Sequence, residues 1–150
     1  MNQWCRQFEN LRAQYRMRRH IKCGHDANAD KSADGIGIVD VSQEKLTGKP
    51  TAGSDPEEFS LSRDVTRPYI ANEDVKTASV VNIAGGKGEH IILVGQEPEG
   101  VAPTPDGKLL YAANGPSNDV SVVDLGTDKE IARVKAGASP WRVVIAPHVP

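Results

Sequence analysis

The chain has 150 residues, of which 38% are hydrophobic and 25% charged, and its formal net charge is −2. This length allows one hydrophobic core, and the small net charge gives no overall attraction for nucleic acid or for an anionic membrane. The charge is unevenly divided, because residues 1–25 carry six basic side chains against a single acidic one, Glu9. The N-terminal segment and the remainder of the chain therefore differ in net charge.

Residues 1–26 form a basic segment whose large apolar side chains follow a helical period. Trp4, Phe8, Leu11 and Tyr15 share one helical face, so a basic amphipathic helix is expected. Such a helix could contact a membrane or a partner protein, or it could cap a β core or be a poorly ordered leader. The cap or leader is favoured. No apolar stretch of a secretory signal follows the basic start, so no export address is expected.

The same segment contains three residues that could bind a metal, His20, Cys23 and His25. A structural zinc site needs four ligands, and zinc motifs show two separated pairs, which this spacing lacks. The C-x-x-C-H motif of covalent haem attachment is also absent. No metal and no cofactor are therefore predicted, and these three residues are the candidate ligands if a metal does bind.

From residue 27 onward, landmark residues recur at one fixed spacing. Between them lie short segments rich in Val, Ile, Leu and Tyr, joined by turns such as Pro105-Asp106-Gly107, where Asp106 and Gly107 suit a tight turn. The period of about 42 residues predicts a four-stranded antiparallel meander in each repeat, as in a β-propeller blade. A β-solenoid and a β-sandwich are alternatives, but solenoid rungs are shorter and sandwiches need no regular repeat. The landmarks are Gly53, Gly95 and Gly137; Pro56, Pro98 and Pro140; Asp40, Asn82 and Asp124; Tyr69 and Tyr111; and Asn72 and Asn114.

The stretch PEGVAPTPDGKLLYAANGPSNDVSVVDLGTDKEIARV, residues 98–134, resembles a repeat of the YVTN family of β-propeller proteins. The resemblance covers residues 27–150 and implies an all-β fold of YVTN/WD-repeat-like blades. The count of predicted strands gives an incomplete arc of about three such blades, preceded by the short N-terminal amphipathic helix. The implied divisions are a partial blade at 27–55, blades at 56–97 and 98–139, and the start of the next blade at 140–150.

The repeat at 56–97 departs from that pattern. Val65 replaces Gly107, Glu58 replaces Gly100 and Pro68 replaces Leu110. Valine is strained where φ is positive, and proline removes a donor from a strand, so this blade is expected to be less well formed. The glycines in Gly85-Gly86-Lys87-Gly88 lack the spacing of a phosphate-binding loop, and a hairpin turn is predicted there.

Acidic residues cluster where the inner strand of each blade begins, the end that faces the central channel of a propeller. Carboxylates there could hold a cation or act as general bases, as in lactonase-type propellers. Their recurrence favours a structural role, and Ser139, Trp141 and Arg142 break a ring of metal ligands at the third equivalent position. Trp and Arg are enriched at binding hot spots, although Trp141 could equally pack between blades. The candidate binding residues are Glu57, Glu58, Glu99, Trp141 and Arg142, and no catalytic residue is predicted.

About three blades cannot close a ring, since propellers close with roughly four to eight. A non-catalytic scaffold or binding module is therefore expected, either a fragment of a longer exported YVTN-repeat protein or an arc that self-associates through exposed blade faces. The alternative is an enzyme of lactonase type, or a haem- or quinone-associated redox propeller, that uses the central channel. The expected partner is a protein or a second copy, not nucleic acid, and membrane contact by residues 1–25 is not favoured. The family implies a periplasmic or extracellular location.

Overall fold

The computed structural model describes residues 19–23, 34–40 and 43–146. These ranges contain strands and no helix, and accordingly no helix that could cross a membrane. The strands are β1 Arg19–Cys23, β2 Ile36–Asp40, β3 Lys45–Gly48, β4 Pro56–Leu61, β5 Pro68–Asn72, β6 Thr77–Asn82, β7 Lys87–Leu93, β8 Pro98–Pro103, β9 Leu109–Asn114, β10 Asp119–Asp124 and β11 Lys129–Lys135.

The strands form three antiparallel sheets in which neighbours in sequence are neighbours in space. The first sheet is β1-β2-β3, the second is β4-β5-β6-β7 and the third is β8-β9-β10-β11. The second and third sheets lie within the ranges 56–97 and 98–139 predicted as blades. The predicted all-β class, with four-stranded antiparallel meanders, is therefore confirmed in the described residues.

Strand β1 departs from the pattern expected of the N-terminal segment. Arg19–Cys23 belong to the leader predicted over residues 1–26, yet they pair with β2 from Arg19↔Asp40 to Cys23↔Ile36. The physical reason is that an unpaired edge of β2 would leave a row of backbone donors and acceptors without partners. The helix predicted around Trp4 and Tyr15 lies outside the described residues.

The period of the repeat governs the backbone as well as the sequence. The β-bulges recur at the same step, at Ile38/Val39, Val80/Val81 and Val122/Val123. Gly86 has φ 62° in the turn between β6 and β7, so the predicted hairpin at Gly85–Gly88 is correct, and Val65 has the strained φ of 60°. The positive-φ residues of the described chain fall into four equivalent classes: Glu44, Gly86 and Asp128; Asp55, Glu97 and Ser139; Val65 and Gly107; and Lys76 and Asn118.

The core consists of two apolar layers, each between consecutive sheets. Ile36 of the first sheet packs with Ile70 and Val81 of the second sheet, and all three side chains are fully buried. A larger layer joins the second and third sheets through Tyr69, Ala71, Ala78, Val80, Ile92 and Val94 on one side and Val101, Leu110, Ala112 and Val123 on the other. Each layer therefore joins the facing sides of two consecutive sheets.

Two buried polar clusters explain why glycine and asparagine recur together. The Asn114 amide donates to Ser121 at 2.9 Å and to Asp119 at 2.7 Å, and its Oδ1 accepts the Gly95 N–H at 3.1 Å. A Cβ on Gly95 would collide with the Asn114 side chain. The same pair recurs one repeat earlier as Gly53 and Asn72, with Ser79 and Thr77 as the acceptors.

Candidate functional site

Five acidic residues gather where the inner strands β4 and β8 begin, and we call this group the acidic rim. The carboxylate oxygens of Asp55, Glu57 and Glu73 lie within 4.8 Å of one another. Glu97 and Glu99 come from the equivalent start of β8. Their charges act on the same group, since the charge of Glu99 raises the pKa of Glu73 and the charges of Glu57 and Glu97 raise the pKa of Glu99. The acidic rim consists of Asp55, Glu57, Glu73, Glu97 and Glu99.

The backbone brings Glu73 to the start of β4. Asp55 has φ 51°, and its carbonyl accepts the Glu73 N–H at 3.0 Å, while Pro56 pairs with Asn72 in the sheet. Glu97 has φ 46°, and its carbonyl accepts the Gly115 N–H at 3.1 Å in the next repeat. The turn after β5 is thereby tied to the loop before β4, which places the side chain of Glu73 beside Glu57.

Partial burial and the charges of neighbouring carboxylates perturb two carboxyl groups of the rim, those of Glu73 and Glu99. Partial burial, and then the charges of Glu57 and Glu99, raise the pKa of Glu73 from 4.5 to about 7. Partial burial and the neighbouring Glu57 and Glu97 also raise the pKa of Glu99. Since burial and like charges both disfavour the ionised form, Glu73 holds a proton well above the pH at which an isolated glutamate loses it. The rim is therefore a site of concentrated negative charge.

The rim is not symmetric between the two repeats. The third sheet has Gly115 where the second sheet has Glu73. A Cβ on Gly115 would lie 3.2 Å from Oε1 of Glu99, which is tighter than ordinary contact. The absence of a side chain at Gly115 therefore leaves room for Glu99. Of the two equivalent positions, 73 and 115, only Glu73 contributes a carboxyl group to the rim.

A second group links three repeat-equivalent positions, Glu58, Gly100 and Arg142, each one full repeat from the next. Glu58 Oε1 lies 3.3 Å from Arg142 Nε, and a Cβ on Gly100 would meet the Glu58 carboxylate and the backbone of Trp141. Burial raises the pKa of Glu58, and Arg142 opposes the rise. Because Gly100 has no side chain, Glu58 and Arg142, which lie two repeats apart in sequence, can pair across β8.

The candidate residues predicted from sequence divide between these two groups. Glu57 and Glu99 belong to the acidic rim, and Glu58 pairs with Arg142, whose guanidinium lies 5.8 Å from the ring centroid of Trp141. The Trp141 side chain is 59% exposed. The metal candidates His20 and Cys23 belong to β1, whereas His25 lies outside the described residues.

Sequence reasoning missed Glu73, the member of the rim with the largest change in pKa. The repeat gives no sign of it, because its equivalent in the next repeat is glycine. A signal was nevertheless present, since Glu73 directly follows Asn72, the landmark that ends the second strand of a meander. The end of that strand must lie beside the start of the inner strand, where Asp55 and Glu57 stand.

A small pocket of about 80 Å³ lies between the second and third sheets, at the end away from the rim. Its wall includes an ion pair, Arg67 to Glu89 at 3.1 Å, and a polar contact of His90 Nδ1 with Asp128 at 3.1 Å. The second of these contacts joins the outer strand of one sheet to a turn of the next. Because these polar side chains already have partners, the pocket is best described as a junction between the sheets.

No protein-family model and no curated protein matches the sequence. Among solved structures, the chain is similar to the hydrazine synthase of Kuenenia stuttgartiensis, a β-propeller-containing protein, with 26% identity and a TM-score of 0.70. The match covers 76% of this chain and 33% of the other, so this chain spans about a third of that chain's length. The similarity supports blades of the propeller type, while the resemblance to the YVTN family stays a prediction.

Proposed function

We propose that this chain is a non-catalytic binding module built from β-propeller blades, and that its acidic rim binds a cationic group of a partner protein. The proposal is supported by Glu73, whose carboxyl has a pKa of about 7 in the company of Glu57, Glu99 and Asp55. Carboxyl groups held this close repel one another, and a lysine or arginine side chain placed among them would relieve the repulsion. The rim is thus suited to a positive charge.

Binding of such a group should be linked to pH. A cation near Glu73 favours its ionised form and lowers its pKa, so the bound complex carries fewer protons than the free protein. Affinity should therefore increase as the pH is raised from about 5.5 to 8, since Glu73 is then already ionised. It should decrease with added salt, because the contact is made between exposed charges.

The test uses a labelled lysine-rich peptide and the same peptide with every lysine acetylated, titrated into the full chain by fluorescence anisotropy. We expect the unmodified peptide alone to bind, and the double variant Glu57→Gln, Glu73→Gln to bind it at least tenfold more weakly. The matched control is Glu44→Gln with Glu130→Gln, which removes two carboxylates that do not belong to the rim. Equal loss in both double variants would show general charge attraction and contradict a site at the rim.

A second candidate function is favoured by one observation. The oxygens of Asp55, Glu57 and Glu73 within 4.8 Å of one another could hold a divalent cation, and a glutamate with a pKa of about 7 suits general acid–base chemistry. This is the lactonase-type alternative. Turnover of lactones with Ca²⁺ present, lost in Glu57→Gln and kept in Glu44→Gln, would replace the binding module as the function. The redox alternative stays a prediction without a site among the described residues.

A further inference from the structure

Strand β7 is the outer edge of the second sheet, and two large apolar side chains on it are exposed. The sheet runs β4-β5-β6-β7, and no strand of the described residues pairs with β7 on its other side. Ile91 is 68% exposed and Leu93 is 75% exposed, whereas Ile92 between them is buried in the layer that joins the second and third sheets. An edge strand with exposed apolar side chains is prone to pair with another strand.

The backbone groups of Ile91 and Leu93 point away from the sheet. The Val94 N–H donates to the Lys76 carbonyl at 3.0 Å, so the backbone groups of Val94 point to β6. Because these groups alternate in direction along an antiparallel strand, those of Ile92 also point to β6, and those of Ile91 and Leu93 point outward. Within the described residues, neither of the two takes part in a turn or loop hydrogen bond. Their N–H and C=O groups are thus positioned to pair with a further strand.

The outer strand of the third sheet, β11, carries charges at the same two positions. Arg133 stands one repeat after Ile91, and Lys135 stands one repeat after Leu93. The Ala136 N–H donates at 2.9 Å to the residue just before β10, as at the equivalent position of the second sheet, so both basic residues lie at outward positions too. Basic side chains on an edge strand discourage pairing with another chain. Strand β11 is therefore protected at the positions where β7 is apolar.

Two copies of β7 are complementary when they pair antiparallel about Ile92. In that register Ile91 of each copy lies opposite Leu93 of the other. Both residues have outward backbone groups, so each such pair exchanges both of its N–H···O bonds. Large apolar side chains then face each other across the two strands, which stabilises a sheet. The same register on β11 would bring Arg133 opposite Lys135, and like charges directly opposite are destabilising.

We propose that β7 is a dimerisation edge, at which two copies of this chain pair antiparallel through Ile91 and Leu93 and join their second sheets into one continuous sheet. The occupant is a second copy because the register about Ile92 is self-complementary, and because the equivalent edge of β11 has charges that disfavour the same pairing. The contact is isologous, so it closes at two copies. It uses the edge of β7 alone and does not depend on what the acidic rim binds.

The test is the mass of the full chain in solution, by sedimentation over a hundredfold range of concentration. We expect a concentration-dependent dimer of twice 16.1 kDa. Ile91→Arg with Leu93→Lys gives β7 the residues of β11 and should raise the dissociation constant at least tenfold, because it places like charges opposite each other. The matched control is Leu46→Arg with Ile131→Lys, which puts the same charges at side chains that are 55% and 58% exposed on other strands. It should leave the dissociation constant unchanged.

Hydrogen exchange of single amides identifies the edge that pairs. In the dimer the N–H groups of Ile91 and Leu93 should exchange at least tenfold more slowly than in the dilute monomer, because they bond to the second copy. The N–H groups of Arg133 and Lys135, at the equivalent outward positions of β11, should exchange at the same rate in both. Equal rates for Ile91 and Leu93 in dimer and monomer would overturn the proposal, since the dimer must then use another surface.

A reverse variant tests whether the two apolar residues direct the pairing. Arg133→Ile with Lys135→Leu gives each copy a second edge of the β7 kind, so it should form species larger than a dimer. If this variant remains a dimer, the apolar residues do not direct pairing and the proposal fails. A wild-type chain that is monomeric throughout also overturns it, as does a dimer that persists unchanged in Ile91→Arg with Leu93→Lys.

Discussion

Glu58 and Arg142 form an ion pair of 3.3 Å although they come from different repeats, separated by the inner strand β8. Gly100 lies between them and has no side chain to block their approach. The three residues occupy the same position in successive repeats, so one place in the repeat holds an acid, a glycine and a base in turn. The repeat fixes where the backbone runs, and the departures from the repeat decide which side chains meet.

Arg142→Ala should destabilise the chain by about 1 kcal/mol at pH 7, because it leaves the half-buried Glu58 without its partner. Burial already raises the pKa of Glu58 above 4.5, and loss of Arg142 should raise it further. An acid whose pKa is higher in the folded than in the unfolded state lowers the free energy of unfolding as the pH rises through these values. The destabilisation by Arg142→Ala should therefore disappear below about pH 4.5, where Glu58 is protonated in both the folded and the unfolded chain. Urea denaturation at pH 4 and pH 7 measures this difference. A penalty that is equal at both values, or that persists in a Glu58→Gln background, would contradict the pairing.

Glu73→Gln should stabilise the chain above pH 7. The folded state holds the Glu73 proton up to about pH 7, whereas the unfolded chain loses it near 4.5, so stability falls as pH rises through this window. Glutamine removes that loss. The rim is open to solvent and screened, so we expect a gain of about 1 kcal/mol at pH 8 and little change at pH 4. The control is Asp74→Asn, an exposed acid one residue away, and a gain of the same size there would count against specific repulsion within the rim.

Val65→Gly should stabilise the chain by about 1 kcal/mol, because Val65 has φ 60°, a conformation that costs a β-branched residue more than glycine. The equivalent residue, Gly107, has φ 70°, and Gly107→Val should destabilise by a similar amount. Thermal and urea unfolding of both variants measure the effect. Val75→Gly, in an exposed turn without positive φ, is the control and should lose stability. A loss in Val65→Gly would show that its side-chain contacts outweigh the strain.

The sequence could predict the parts of the fold that the repeat enforces. Glycine and asparagine recur because Gly95 has no room for a Cβ against Asn114, and Gly53 has none against Asn72 in the second sheet. The turn at Gly86 and the strain at Val65 followed from the same register. A period in the sequence therefore predicts backbone conformation residue by residue.

The repeat could not predict the acidic rim in full or the first sheet. Glu73 has no counterpart in the next repeat, so its meeting with Glu57 depends on which strand ends lie together in space. Strand β1 does not follow the 42-residue period. Its pairing with β2 satisfies backbone hydrogen-bonding groups, and no pattern of side chains indicates it. Features that break the repeat require the three-dimensional arrangement.

Asn114→Ala should destabilise the chain more than Asn72→Ala, although the two residues are equivalent and both fully buried. The Oδ1 of Asn114 accepts the Gly95 N–H at 3.1 Å, whereas the Oδ1 of Asn72 is buried without a hydrogen-bond partner. Truncation at Asn114 therefore removes an acceptor from its cluster as well as the bonds to Ser121 and Asp119. We expect about 3 kcal/mol for Asn114→Ala and about 1 to 2 kcal/mol for Asn72→Ala, since each orphaned buried group costs about 1 to 3 kcal/mol. Urea unfolding at fixed protein concentration measures both, and an equal or reversed order would show that the unpartnered oxygen of Asn72 is satisfied in solution.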